Sequence, residues 1–175
     1  MRVIAGELRG RRLTAPAGST TRPTSDRVKE ATFNALGSLG AIEDATVLDR
    51  FAGSGALGIE ALSRGAAHCR FVEVDRSALA ALRGNLDALG LGPDRATVQA
   101  ADLAADAGPW DLALLDPPYA FDGWNALLSG LRAELAVCES GRSIEVPDGW
   151  VLVREKSYGA TVVSIMQRET REGSE

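Results

Sequence analysis

Histidine is almost missing from this chain. His68 stands alone among 175 residues, and cysteine occurs only at Cys69 and Cys138. That leaves almost no ligands for metal chemistry, and the two cysteines lack the spacing of a metal or redox pair. They read as reduced, buried small hydrophobes of a cytoplasmic protein. Long apolar runs are missing too. No stretch approaches the roughly 18 residues of a membrane-crossing helix, and residues 1–7 lack the apolar core of a signal peptide. No internal repeat or low-complexity tract is visible. The expectation is a cytoplasmic monomer with no metal and no membrane anchor.

What is present looks globular. Apolar residues make up 45% and charged residues 25%, as in ordinary soluble domains, and the length suits one domain. The net charge of −5 is unevenly spread. Residues 1–30 hold seven basic side chains and three acidic ones, so the remainder is strongly acidic. Such asymmetry points to a basic arm that meets nucleic acid. Arg9, Arg11, Arg12, Arg22 and Arg27 are the candidate contacts, and a merely solvated basic edge is the plain alternative.

Residues 1–14 suggest a short β-hairpin, and 15–24 a turn-rich linker. A helix starts after Ser25, a suitable N-cap, with Val28, Ala31, Ala35, Leu36 and Leu39 on its buried face. Strand and helix patterns then alternate. Strands are expected over 46–48, 69–74, 96–100 and 111–115, around 135–138, and over 151–155 and 161–166. Helices follow the glycine turn at 53–58 and cover 77–89 and 124–132. This order predicts an α/β fold: a Rossmann-like, mostly parallel sheet covered on both faces, closed by an antiparallel C-terminal hairpin. The implied divisions are a basic extension over 1–24, a main domain over 25–168 and a polar tail over 169–175.

Two strand ends carry chemistry. The first is followed by Phe51-Ala52-Gly53-Ser54-Gly55-Ala56-Leu57-Gly58, a G-x-G-x-x-G turn between strand and helix, with Glu73 ending the next strand. Glycines admit a close ligand, and an acid there accepts from ribose hydroxyls. These features alone do not separate a dinucleotide site from other nucleoside sites. Asp49 favours a cationic cofactor, S-adenosylmethionine, over a pyrophosphate it would repel. Asp102, followed by Leu103, could accept from an adenine amine, or could simply cap a helix. The expected cofactor contacts are thus Asp49, Phe51, Ala52, Gly53, Ser54, Gly55, Glu73, Val74, Asp102 and Leu103.

The second strand end is Asp116-Pro117-Pro118-Tyr119, after the apolar run Leu112-Ala113-Leu114-Leu115. Two prolines remove amide donors while their carbonyls still accept. Asp116 adds acceptor oxygens, and Tyr119 offers a stacking face. Together they suit the exocyclic amine of a nucleobase, with Asp116, Pro117, Pro118 and Tyr119 as the catalytic set. An adenine-N6 DNA methyltransferase and a non-catalytic RNA-binding assembly protein remain as alternatives. Core packing is the default for Trp124, and a wall of the base pocket is its functional alternative.

Arg9-Gly10-Arg11, Arg22-Pro23-Thr24 with Asp26-Arg27-Val28, the glycine turn, Phe71-Val72-Glu73-Val74-Asp75 and Asp116-Pro117-Pro118-Tyr119 occur in that order. Over roughly residues 2–168 the chain resembles the bacterial methyltransferases that modify a guanine N2 in 16S ribosomal RNA. The resemblance implies a class I methyltransferase fold with an N-terminal β-hairpin extension and S-adenosylmethionine as methyl donor. It also implies a small-subunit rRNA target within a 30S particle or assembly intermediate. Glu73 then matches the ribose-binding acid, Asp102 the adenine-side acid, and residues 116–119 the catalytic loop. The segment between Trp124 and Val151 is short for such a protein, so its helix is expected to be trimmed.

Overall fold

The computed structural model describes residues 1–18, 25–100 and 108–169. In chain order the described elements are α1 (Asp26–Ser38), β1 (Thr46–Arg50), α2 (Ala56–Ser63), β2 (His68–Val72), α3 (Arg76–Leu89), β3 (Ala96–Gln99), β4 (Trp110–Leu115), α4 (Trp124–Gly130), β5 (Ala133–Ser140), β6 (Trp150–Tyr158) and β7 (Thr161–Arg168). The strands form one sheet in the order β3-β2-β1-β4-β5-β7-β6. The first five run parallel, and β7 pairs antiparallel with both β5 and β6. This is the expected mostly parallel sheet with a reversed C-terminal hairpin.

Alternation along the strands divides the core in two. Val47, Cys69, Phe71, Leu112 and Leu114 meet residues of α1, α2 and α3. Leu48, Val72, Ala113, Leu115 and Cys138 meet α4 and the segment that leads into β6. Leu112 to Leu115 are each buried almost completely, as a central parallel strand covered on both sides requires. Both cysteines are free and buried. Burial pushes each thiol well above its ordinary pKa. Among the described residues, no helix is long and apolar enough to cross a membrane.

Local departures from the sequence reading have identifiable causes. In α1, Ser25 caps as expected, its Oγ accepting from the Val28 amide at 3.2 Å. The buried face, however, includes Lys29, Thr32 and Phe33, while Leu39 lies beyond the last turn and is 47% exposed. Lys29 can be buried because its Nζ lies 3.5 Å from the buried Glu60 carboxylate and donates to the Arg2 carbonyl at 2.7 Å. Burial still lowers its pKa, although Glu60 opposes that.

Glu60 also accepts from the amides of Ile4 and Ala5, at 2.8 and 3.1 Å. Ser63 Oγ accepts from the Leu8 amide at 2.9 Å. The N-terminal segment divides its amides between α2 and itself: Val3 donates to the Arg11 carbonyl at 2.9 Å, Gly10 to that of Val3 at 2.9 Å and Leu13 to that of Met1 at 3.1 Å, so the expected hairpin is present as a short pairing around the Arg2 to Arg12 bridge. Its contact with α2 is intimate: a Cβ on Gly6 would lie 1.7 Å from the Ser63 carbonyl oxygen. Val3 and Leu13 belong to the main core. The helix before β5, α4, spans seven residues.

Candidate active site

β1 and β4 are parallel neighbours, with Arg50 opposite Leu115. The next residue of each strand, Phe51 and Asp116, therefore emerges side by side at the carboxyl edge of the sheet, where open α/β sheets bind ligands. The glycine turn and the Asp116–Tyr119 loop are thus adjacent by topology.

The turn is held from below. The amides of Phe51 and Ala52 both donate to the Val72 carbonyl at 3.1 Å. Asp49, 1% exposed, accepts from the Gly58 amide at 2.8 Å and so caps the start of α2 from within the sheet. Burial, then the neighbouring charges of Asp116 and Glu73, push the Asp49 carboxyl up to about 8 against the pull of the Gly58 amide. The three carboxylates therefore share one electrostatic environment.

Glu73 lies just past β2 rather than within it, a correction to the expected strand end. The strand stops because the Glu73 carboxylate folds back, accepting from the amides of Gly53, Val74 and Asp75 at 2.8, 2.8 and 2.9 Å. Val74 is 63% exposed at the rim.

The glycines divide their work. A Cβ on Gly58 would lie 2.3 Å from the Phe71 ring and 2.6 Å from Cys69 Sγ, so this glycine exists for close packing of helix on strand. A Cβ on Gly53 would meet nothing within 4 Å. Only the Gly53 end opens to a ligand. Ser54 is buried, and its carbonyl accepts from the Asn85 side chain at 2.9 Å. Asn85 also exchanges two hydrogen bonds with the Thr14 backbone. It ties the N-terminal segment, α3 and the turn together. Sequence reasoning missed it, although a polar residue among Leu82 and Leu86 on an apolar face was a readable signal.

On the acceptor side, Asp116 is half-buried, Pro117 is buried and Pro118 is exposed. The Pro118 carbonyl accepts from the Phe121 amide at 2.8 Å, closing the loop into a turn. Tyr119 is 56% exposed. Its hydroxyl lies 3.3 Å from Thr161 Oγ1, and its ring lies against Gly141. Phe121, also missed, links the halves: its ring meets Phe51 edge-on at 5.5 Å and Trp124 at 5.3 Å. Phe51 adopts φ 68°, a conformation that bulky side chains rarely take. Trp124 is 6% exposed and is core on one side.

Asp102, Leu103 and Arg22 lie outside the described residues. Arg9, Arg11, Arg12 and Arg27 are exposed, with Arg11 donating to the Ala88 carbonyl at 2.6 Å. Among the described residues, no group of three or more His, Cys, Asp or Glu could hold a metal.

Comparison with known proteins decides the kinship. Residues 1–167 match the model of the family described as Conserved hypothetical protein 95. The chain is 39% identical over 187 residues to "Putative rRNA methyltransferase YlbH" of Bacillus subtilis strain 168, covering 96% of this chain and 99% of that protein. It is also 39% identical over 185 residues to "Ribosomal RNA small subunit methyltransferase D" of Escherichia coli strain K12, covering 98% and 91%. The chain belongs to this family. Among solved structures, "Putative methyltransferase yhhF from Escherichia coli" superposes with a TM-score of 0.81 at 40% identity, covering 97% of this chain and 98% of that one. The family's class I methyltransferase fold is the one described above.

Proposed function

We propose that this chain transfers a methyl group from S-adenosylmethionine to the exocyclic N2 amine of a guanine in small-subunit ribosomal RNA. The observation that carries the proposal is the adjacency of Phe51 and Asp116. An acidic, glycine-lined turn and an acceptor-rich loop with an exposed tyrosine open together at neighbouring strand ends. The relatives named above as rRNA methyltransferases, one of them a small-subunit enzyme, support the substrate class.

The residues present fit the donor. The open Gly53 face admits a ligand against the backbone. Glu73 supplies acceptors for ribose hydroxyls, and the Glu73 and Asp116 carboxylates suit a ligand bearing positive charge, with Asp49 adding to them as it ionises near pH 8. Ser54, Gly55, Ala52, Phe51 and Val74 form the surrounding turn and rim, and Asp102 with Leu103 is the proposed adenine side. When bound, S-adenosylmethionine supplies an already activated methyl group, so no covalent enzyme intermediate is required.

The chain's own task is orientation. A purine amine has its lone pair delocalised into the ring and is a poor nucleophile. Acceptors at Asp116 and the Pro117 carbonyl hold its two hydrogens and aim the nitrogen. Tyr119 stacks on a base taken out of its helix. Asp116 need not be a strong base, because the proton can leave after the methyl arrives. Arg9, Arg11, Arg12 and Arg22 of the extension, with Arg27 at the start of α1, are proposed RNA contacts, with the chain acting as a monomer on a 30S particle or assembly intermediate. The test is incubation with tritiated donor and either small-subunit particles or duplex DNA, followed by nucleoside analysis. Label in N2-methylguanine of the RNA is expected. Label only in adenine of the DNA would overturn the reading, since the same acceptors also fit that amine.

A further inference from the structure

A groove of about 440 Å³ lies between the start of α4 and residues 142–148, within the range typical of small-molecule sites. It adjoins the acceptor loop at two points: Asp122 follows that loop, and Arg142 follows Gly141, on which the Tyr119 ring rests. Its wall is Trp124, linked through Phe121 to Phe51 in the glycine turn. Its other side is anchored. Ser143 Oγ donates to Glu155 at 2.8 Å, the Trp150 amide donates to the Pro147 carbonyl at 3.2 Å, and the Trp150 indole N–H donates to the Leu128 carbonyl at 3.0 Å. The groove is therefore part of the same construction as the acceptor loop.

Its charges select an occupant. Asp122, Glu145 and Asp148 line it against a single Arg142, with Asn125 between. A phosphate would be repelled from the interior and tolerated only at the Arg142 end. A base edge carrying N–H donors would find acceptors, and the Trp124 wall is apolar. We infer that the groove receives the unpaired base next to the methylated nucleotide, donor edge inward, with its phosphate at Arg142. It would thereby set the sequence context of methylation, as contacts to flanking nucleotides do in other enzymes that act on extruded bases. The inference rests on the proposed RNA reaction and adds a second base-reading site to it.

The test is steady-state methylation by the full chain carrying Glu145→Gln with Asp148→Asn. Both positions are exposed and belong to neither half of the site described above. Substrates are small-subunit particles, protein-free RNA of the same sequence, and RNAs changed only at the bases flanking the methylated guanine. The expected result is a KM for RNA raised about tenfold with kcat little changed, as lost hydrogen bonds to a bound base would give. Discrimination among flanking bases should shrink, and donor affinity should stay the same. Unchanged KM and unchanged discrimination, with the wild type active, would overturn the inference while leaving the proposed function standing. A defect on particles that vanishes on protein-free RNA would overturn it in favour of a basic segment of a ribosomal protein. Failure of the wild type to methylate any RNA would remove both.

Discussion

The donor and acceptor halves of the site are built differently. On the donor side the polar groups already satisfy one another: Asp49 holds Gly58, Glu73 holds three amides, and Asn85 holds Ser54. On the acceptor side, Tyr119 stands 56% exposed, with one hydroxyl contact to Thr161. A small, charged cofactor can be met by a rigid, preformed cradle. A nucleotide held in a large folded RNA must be approached by a loop that projects. The contrast suits a donor pocket organised before binding and an acceptor surface completed by its substrate.

The largest expected effect tests whether the halves separate. Asp116→Ala should lower kcat about a thousandfold, the scale of losing a positioned polar group at a reaction centre, while calorimetric donor affinity stays within a factor of a few. Donor binding lost to the same extent as turnover would dissolve the distinction. Tyr119→Ala should cost roughly 10- to 100-fold in kcat/KM, the scale of one base–aromatic stack, and Tyr119→Phe should restore most of it. If Phe were as poor as Ala, the Thr161 hydroxyl contact would matter more than the ring. Glu73→Gln should act on the other half, weakening donor binding about tenfold with little change in RNA affinity.

Smaller effects sharpen the electrostatics. Replacing Arg9 and Arg11 with alanine should flatten the salt dependence of RNA binding by about two in slope. An unchanged slope would remove the extension from the interface. Asp49 carries a pH signature. Its carboxyl is raised in the folded chain from 3.8 to about 8. Its contribution to stability is thus full below the unfolded value and is lost as pH rises through about 8. Without donor, Asp49→Asn should raise the melting temperature by ~3 °C at pH 9 and by less at pH 5. Wild-type donor affinity should increase with pH as Asp49 ionises, and the variant should flatten that rise. Equal Tm changes at both pH values would show that Asp49 is ionised throughout.

The sheet was legible because its strands are short apolar runs between turn signals, a pattern that carries into buried parallel strands unchanged. The glycine turn and the Asp116 loop were legible because backbone freedom and missing amide donors are written in residue type. What escaped depends on distant partners. Nothing in residue type marks Lys29 and Glu60 as a buried pair, and only the fold brings them to 3.5 Å between α1 and α2. The N-terminal hairpin pairs its ends as expected, and what escaped is its docking on α2, where Glu60 and Ser63 take the amides of Ile4, Ala5 and Leu8. Phe121 and residues 142–148 have no periodicity to mark them, so their relation to Trp124 appears only in three dimensions.

The two thiols have a use of their own. Cys69 sits in the core cluster under α1, α2 and α3, and Cys138 in the one under α4. Folded, neither offers an accessible thiolate, so the native chain should be silent to alkylating reagents. Any labelling then times the local opening of one face of the sheet or the other, two clocks built into the same molecule. A cysteine introduced at an exposed loop site could carry a probe without background.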